Sequence, residues 1–194
     1  MAEPAMQFPG VDALIDAVDI AVRQSRETDI VCSLRRTLCH LIRESSIQLP
    51  DCVYRHKTDG YARRELYTSE DLGYSIIAMT WGPGQGTPIH DHCGMWCVEG
   101  VWAGELEVVQ YEPRNRDNGM VQFEAVGSIQ AGTGSAGSLI PPHEYHTISN
   151  LSATEAAVSI HVYSGTMKNC NVFVPDDNRQ GWYRRCERQL TLDN

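Results

Sequence analysis

The stretch Gly82-Pro83-Gly84-Gln85-Gly86-Thr87-Pro88-Ile89-His90-Asp91-His92-Cys93-Gly94-Met95-Trp96-Cys97 decides how the rest of the chain is read. A β-strand turns residues i and i+2 to one face, so a strand carrying His90 and His92 aims both imidazoles at one point. Histidine is the commonest metal ligand, and a pair of them after a turn rich in glycine and proline supplies two-thirds of a metal site. The same pair can also be two ordinary polar histidines beside a loop. The metal reading therefore requires a third ligand from elsewhere, because one strand cannot surround an ion.

Upstream, Val11, Leu14, Ile15, Val18 and Val22 follow the spacing of an amphipathic helix over residues 11–24, with Asp12, Asp16 and Arg23 off the stripe. Val31, Leu34, Leu38, Leu41 and Ile42 repeat that spacing over 29–44, and Ser45-Ser46 closes the pattern. Such stripes pack against a sheet, so both segments read as a helical preface. From Asp51 the texture changes to short runs suited to strands and broken by Gly, Pro and Asn, the signature of a sandwich or barrel. Strands are predicted over 61–67, 74–81, 95–101, 105–111, 121–126, 138–140, 146–150 and 156–163. Ala103-Gly104 reads as a hairpin turn between the third and fourth, and Pro113 to Gly119 as a polar, turn-rich loop. The fold class is thus mainly β, a jelly-roll-like barrel over about 51–175 with helices over about 11–45, drawn as one domain over 1–194. The tail 176–194, with Arg179, Arg184, Arg185 and Arg188 among acids, reads as a solvated surface segment.

Composition narrows the function. In 194 residues, 16 Lys+Arg against 25 Asp+Glu give a net charge of −9, and no basic stripe offers the footprint that nucleic-acid binding needs. Neither a signal-like start nor a run long enough to span a bilayer is present, so the expected setting is the cytoplasm, with no membrane partner. Seven cysteines, an odd set without a C-x-x-C pair, argue against both a disulfide framework and a zinc ribbon. Most of them read as buried, reduced thiols.

For the third ligand the sequence offers His143, His146 and His161. His146 begins a predicted strand, whereas His143 follows two prolines in a turn, so His146 is preferred. At this point a resemblance becomes specific. The run Gly84-x5-His90-x-His92-x4-Cys97-x6-Gly104 resembles the first cupin motif as cysteine dioxygenases carry it, with cysteine where most cupins have a metal-binding glutamate. Pro141-x4-His146-x3-Asn150 resembles the second cupin motif. Here His143 takes a usual glycine position, and the opening glycine falls on Ser135, with Gly134 one place early. Ser159-Ile-His161-Val-Tyr163 is similar to the family's Ser-x-His-x-Tyr segment, and Tyr61-Ala-Arg63 to the Tyr-x-Arg that carries its substrate arginine. The resemblance covers roughly 50–175.

That resemblance implies a cupin holding Fe(II) on His90, His92 and His146. It implies a non-haem thiol dioxygenase that adds both atoms of O2 to the sulfur of a small carboxylate-bearing thiol, most simply L-cysteine to cysteine sulfinate. Three neutral histidines alone would equally suit zinc, and Glu99, on the face of Cys97, is the only nearby acid that could rejoin the ligand set. Arg63 would hold the substrate carboxylate through its planar fork beside Tyr61, with the adjacent Arg64 as competitor. On 158–163 the apolar and polar residues alternate. Either the polar face meets water, or Ser159, His161 and Tyr163 face a metal cavity as a relay; the resemblance favours the cavity. It also implies a thioether between Cys97 and Tyr163, whereas Cys93 reads as a small packed side chain turned away from the ligands. Further readings are a 3-mercaptopropionate or mercaptosuccinate dioxygenase, a non-catalytic metal-binding cupin, or a zinc or nickel cupin hydrolase or isomerase. The implied partners are a small thiol and O2, the implied assembly a monomer or small homo-oligomer.

Overall fold

The computed structural model describes residues 6–44 and 46–193, so Ser45, half of the predicted helix stop, lies outside the described residues. Helices Val11–Val22 (α1) and Glu27–Glu44 (α2) form where the stripes predict them. In α2 the five stripe residues are the five buried ones, while α1 buries Ala21 and leaves Val22 half-buried. Burial of each such Leu, Ile or Val is worth roughly 1.5–3 kcal/mol, which is what holds the preface on the sheet. Gly100 permits the close approach: a Cβ there would lie 3.0 Å from Ile42 Cδ1 and 3.3 Å from Leu38 Cβ of α2.

Eleven strands follow among the described residues: Ala62–Ser69 (β1), Tyr74–Trp81 (β2), Ile89–His90 (β3), Cys97–Ala103 (β4), Glu105–Asp117 (β5), Met120–Gly132 (β6), Ala136–Leu139 (β7), His146–Ser149 (β8), Ala157–Tyr163 (β9), Asn169–Pro175 (β10) and Trp182–Gln189 (β11). One sheet runs β1-β2-β9-β4-β7, and the second closes through β10-β11-β6-β5-β8-β3. All pairings are antiparallel. The predicted mainly-β, jelly-roll-like class with a helical preface is the fold observed. No helix among the described residues is long and apolar enough to cross a membrane.

The two faces of β9 show how the layers form. Val158, Ile160 and Val162 join the core under the helices, while Ser159, His161 and Tyr163 turn into the space between the sheets. Of the two assignments the alternation allowed, packing against α1 and α2 selects this one, since the helices supply the apolar cover the outer face needs.

Several sequence expectations are corrected. Ala103-Gly104 is not a hairpin: β4 pairs with β7 and β9, β5 with β6 and β8, so these residues carry the chain between sheets. The real hairpin is β5–β6, turning at Asn118 (φ 47°) and Gly119 (φ 78°), left-handed conformations that asparagine and glycine tolerate best. Pro113 to Asp117, read as loop, is strand, disguised by polar side chains and a bulge between Pro113 and Asn115. The tail is no free surface segment either. β11 pairs along β10 and, through Trp182 to Arg184, with β6, and so completes the ring of the second sheet. Its Arg184, Arg185, Glu187 and Arg188 are exposed, so the strand is held by backbone pairing and by Tyr183 against Phe123. No apolar stripe betrays it.

Candidate metal centre

His90 in β3 and His146 in β8 are directly opposed across the ladder, which places their ring centroids 4.2 Å apart. His92 lies two residues past His90, beyond the end of the short β3, so the pair does not share one regular strand as the spacing suggested. Its ring still converges, 5.5 Å from His90 and 5.0 Å from His146. One ligand atom from each of the three falls within 4.8 Å of the others.

The hydrogen bonds around the rings determine their chemistry. His90 Nδ1 donates to Pro88 O (3.1 Å) and His146 Nδ1 to Glu144 O (2.8 Å), since a carbonyl can only accept. That fixes the tautomer and leaves His146 Nε2, like His92 Nδ1, buried with no hydrogen-bond partner. Burial, reinforced at His92 and His146 by neighbouring imidazoles, lowers the pKa of all three rings, so they are neutral at physiological pH. Orphaned neutral lone pairs aimed at one point fit a metal ion, and carbonyl-anchored second nitrogens are the usual support for such ligands. The flanking acids are committed elsewhere. Asp91 accepts from Asn171 N (2.9 Å) and Nδ2 (2.7 Å), and Glu144 from His92 N (2.8 Å). Sequence reasoning did not single out Asp91, Glu144 or Asn171; the alternation about His90 and His92 was the available signal for Asp91.

His143 is exposed and bonded to Glu112 (2.7 Å), outside the cluster. Cys93 is exposed at φ 52°, with its thiol against Asp91 (3.8 Å) and not packed away. The neighbours Arg63 and Arg64 part company as strand alternation dictates. Arg64 donates to Thr80 Oγ1 (3.1 Å) and Arg55 O (2.9 Å), under the η-turn Asp51–Tyr54. Arg63, buried, donates to Met167 O (3.4 Å) and lines a small cavity with Tyr61, the three histidines and Tyr163. The Tyr61 ring packs against Trp81 at 4.7 Å, tilted by 31°.

A second cluster lies beside it. In the β4–β9 ladder Cys97 opposes Tyr163 and Glu99 opposes His161. Ser159 Oγ accepts from Trp81 Nε1 (2.9 Å) and sits 2.8 Å from His161 Nε2; His161 Nδ1 faces Tyr163 Oη (3.4 Å), Glu99 Oε2 (3.4 Å) and Cys97 Sγ (3.8 Å). Burial moves every group toward neutrality: Glu99 up to about 7, His161 down to about 3 with Arg63 adding repulsion, and Cys97 and Tyr163 well up. His161 and Glu99 are therefore a close contact between a neutral imidazole and an acid, and not an ion pair. Behind this row a larger cavity of about 370 Å³ opens, lined by Glu99, Ser159, Leu106, Val108, Ile129 and Ile148.

The family model for "Cysteine dioxygenase type I" matches residues 54–176. The chain belongs to the cysteine dioxygenase family. This family, part of the cupin superfamily, includes cysteine dioxygenase type 1 of Danio rerio, 28% identical over 128 residues (64% of this chain, 61% of that protein). The Homo sapiens protein of the same description is 29% identical over 119 residues (61% and 56%). The chain thus spans about three-fifths of the length of the curated relatives it matches. Among solved structures, a rmlc-like cupin protein from Desulfovibrio desulfuricans aligns with a TM-score of 0.42 at 19% identity, covering 58% of this chain and 90% of that one. Oxalate oxidase in complex with glycolate aligns at 0.43 and 24% (56% and 53%). The part of this cysteine dioxygenase family member that matches the family model contains every residue of both clusters and omits α1, α2 and β11.

Proposed function

We propose that the chain is a non-haem Fe(II) thiol dioxygenase that adds both atoms of O2 to the sulfur of a small carboxylate-bearing thiol, with L-cysteine to cysteine sulfinate as its reaction. One observation carries this reading beyond family membership: Arg63, the three histidines and Tyr163 line one cavity. An anion-binding fork, a cluster of three imidazoles and a phenol thus line the same small space. His90, His92 and His146 would hold the iron, which when bound would supply the redox chemistry that joins thiol and dioxygen.

The protein's own groups do the rest. The Arg63 guanidinium takes the substrate carboxylate in a two-point grip and thereby orients the thiol toward the histidines. Tyr61, braced on Trp81, walls that end of the cavity. Tyr163 presents its hydroxyl beside the reacting sulfur, and Ser159 and His161 orient it. The thiol gives up its S–H proton on binding; O2 contributes both oxygens and accepts the sulfur's electrons, so no outside reductant enters and the product is a sulfinic acid. Cys97, directly opposite Tyr163, is placed to form a thioether to the phenol ring, with the thiol S–H and a ring C–H lost and the two hydrogens and their electrons taken up by O2. An intact mass short by two hydrogens supports that bond, and a peptide map with both residues unmodified after turnover rejects it.

The deciding experiment loads the protein anaerobically with Fe(II) and offers cysteine, 3-mercaptopropionate, mercaptosuccinate and a thiol without a carboxylate. Oxygen uptake matched by sulfinate in the mass spectrum, fastest with cysteine, is the expected result. Metal binding without oxygen uptake from any thiol would make this a non-catalytic cupin.

A further inference from the structure

The proposed reaction uses Ser159, His161 and Tyr163 but gives no task to Glu99, a buried acid whose Oε2 has no hydrogen-bond partner and lies 3.4 Å from His161 Nδ1. The tautomer of His161 turns on this contact. Trp81 Nε1 is only a donor, so Ser159 Oγ accepts from it. Ser159 can still either give its hydrogen to His161 Nε2 or take one on its second lone pair, and so it tolerates both tautomers and selects neither. The choice falls to Nδ1, which faces Glu99 and Tyr163 at 3.4 Å and, as a weaker partner, the Cys97 sulfur at 3.8 Å.

An ionised Glu99 is acceptor-only and draws the hydrogen onto Nδ1. The Tyr163 hydroxyl then finds no lone pair on His161, and its hydrogen turns toward the cavity, where Met79 Sδ lies 4.0 Å away. A protonated Glu99 makes no such demand. Nδ1 becomes the acceptor, and the Tyr163 hydrogen is held away from the substrate. We propose that Glu99 is a positioning residue, whose charge sets which nitrogen of His161 carries the hydrogen and thereby where the Tyr163 hydroxyl points. The tautomer switch stands on geometry alone; its effect on turnover rests on the thiol dioxygenase reading.

Two further observations support it. Burial holds Glu99 near neutrality, so both charge states are populated in the physiological range. Glu99 also lines the cavity of about 370 Å³ behind the relay, which gives its proton a way out that does not cross the substrate cavity. The titratable groups facing it are Cys97 on its own strand, His161 and Tyr163 on β9, and Arg35 of α2 in the lining of that cavity. β7 contributes Gly137 and Ser138, and β5 and β6 contribute Gln110 and Gln130, none of which titrates in this range.

The test reads the tautomer directly by long-range proton–nitrogen correlation spectra of nitrogen-15 histidine in the zinc-loaded, diamagnetic protein, with the His161 signals identified through His161→Gln. In the wild type, His161 shifts to the Nδ1–H form as pH rises through neutrality. Glu99→Gln abolishes the switch, and Glu99→Asp, which keeps the carboxylate, retains it at a displaced pH. In turnover, the wild-type kcat rises over the same interval; Glu99→Gln shows a flat profile with kcat about tenfold lower at the alkaline end, less than the roughly hundredfold or more that a proton donor itself contributes, and KM within about twofold. One His161 tautomer at every pH in the wild type, or an unchanged pH profile in Glu99→Gln, would overturn the proposal. If no thiol is turned over at all, the function reading fails while the spectra still decide the coupling of Glu99 to His161.

Discussion

Two clusters, each bearing histidine and acid, face one another inside the barrel, and their difference lies in where the carboxylates are spent. In the cluster from β3, the turn after it and β8, the adjacent acids Asp91 and Glu144 accept from backbone amides or from Asn171, and the rings of His90 and His146 are anchored on carbonyls. What remains is a set of neutral lone pairs suited to a cation. In the cluster from β4 and β9 the acid, Glu99, is uncommitted and touches the imidazole itself. What remains there is a proton whose position is undecided. Burial differs only at the half-buried His90; hydrogen-bond partners separate lone pairs suited to a cation from an acid set against an imidazole. The ring of Tyr163, 5.6 Å from that of His92, joins them.

The sharpest way to break this contrast is to remove a donor from the first cluster. His146→Ala should weaken metal binding by more than about a hundredfold, beyond what loss of a supporting contact costs, with activity lost alongside, whereas His143→Ala should keep its metal. Elemental analysis after dialysis checks both, and the reverse result would move the third ligand to His143.

Next in size is the cost of the uncommitted acid. Glu99 is raised from 4.5 to about 7 in the folded protein, so the folded state holds this proton more tightly. Its stabilisation is complete below about pH 4.5 and is lost as pH climbs to about 7. An upper figure is about 3 kcal/mol, since each pKa unit is worth about 1.4 kcal/mol. Urea unfolding of metal-free protein at pH 5 and pH 8 should therefore show the wild type losing about that much more than Glu99→Gln. Equal losses would mean that Glu99 has found a partner.

A smaller effect separates the adjacent arginines. Arg63→Gln should raise KM for carboxylate-bearing thiols by about tenfold to a hundredfold, the value of a charge-assisted hydrogen-bonded grip, with little change for a thiol that lacks the carboxylate. Arg64→Gln should leave KM alone and cost about 1–3 kcal/mol of stability, because it abandons Thr80 and the Arg55 carbonyl. Smallest is the outer tie of the chain end, where Asp193 accepts from Lys57 (2.7 Å) and from the Arg63 backbone amide (2.9 Å). Asp193→Ala should cost less than about 1 kcal/mol, as half-exposed pairs do. It should speed hydrogen exchange near residue 193 while KM stays within about twofold.

Much of this was legible from residue order. The helical stripes, the strand texture from Asp51 and the His90-x-His92 pair all express local periodicities, and the fold followed from them. The parts that were not legible are those where side-chain pattern and backbone role diverge. β11 exposes charged residues yet closes a sheet through its amides, and Pro113 to Asp117 look like loop yet continue β5. Glu99 was visible as a neighbour of Cys97 on one strand face. Its apposition to His161 was not, because that depends on the β4–β9 register, in which Glu99 stands opposite His161 and Cys97 opposite Tyr163.

The sequence by itself thus determined which residues share a face: Cys97 with Glu99, Ser159 with His161 and Tyr163, Tyr61 with Arg63, whereas His92 reaches His90 from beyond the end of β3. Strand alternation has a period of two and needs no distant partner. Only the tertiary structure decided which faces meet and which way they point. Register between strands some sixty residues apart is set by burying one face against the helices and the other against the opposite sheet, and a slip of one residue would reverse every side chain. That packing turned Arg63 toward the histidines and Arg64 away, and it brought an acid that the sequence left idle against the one imidazole it can control.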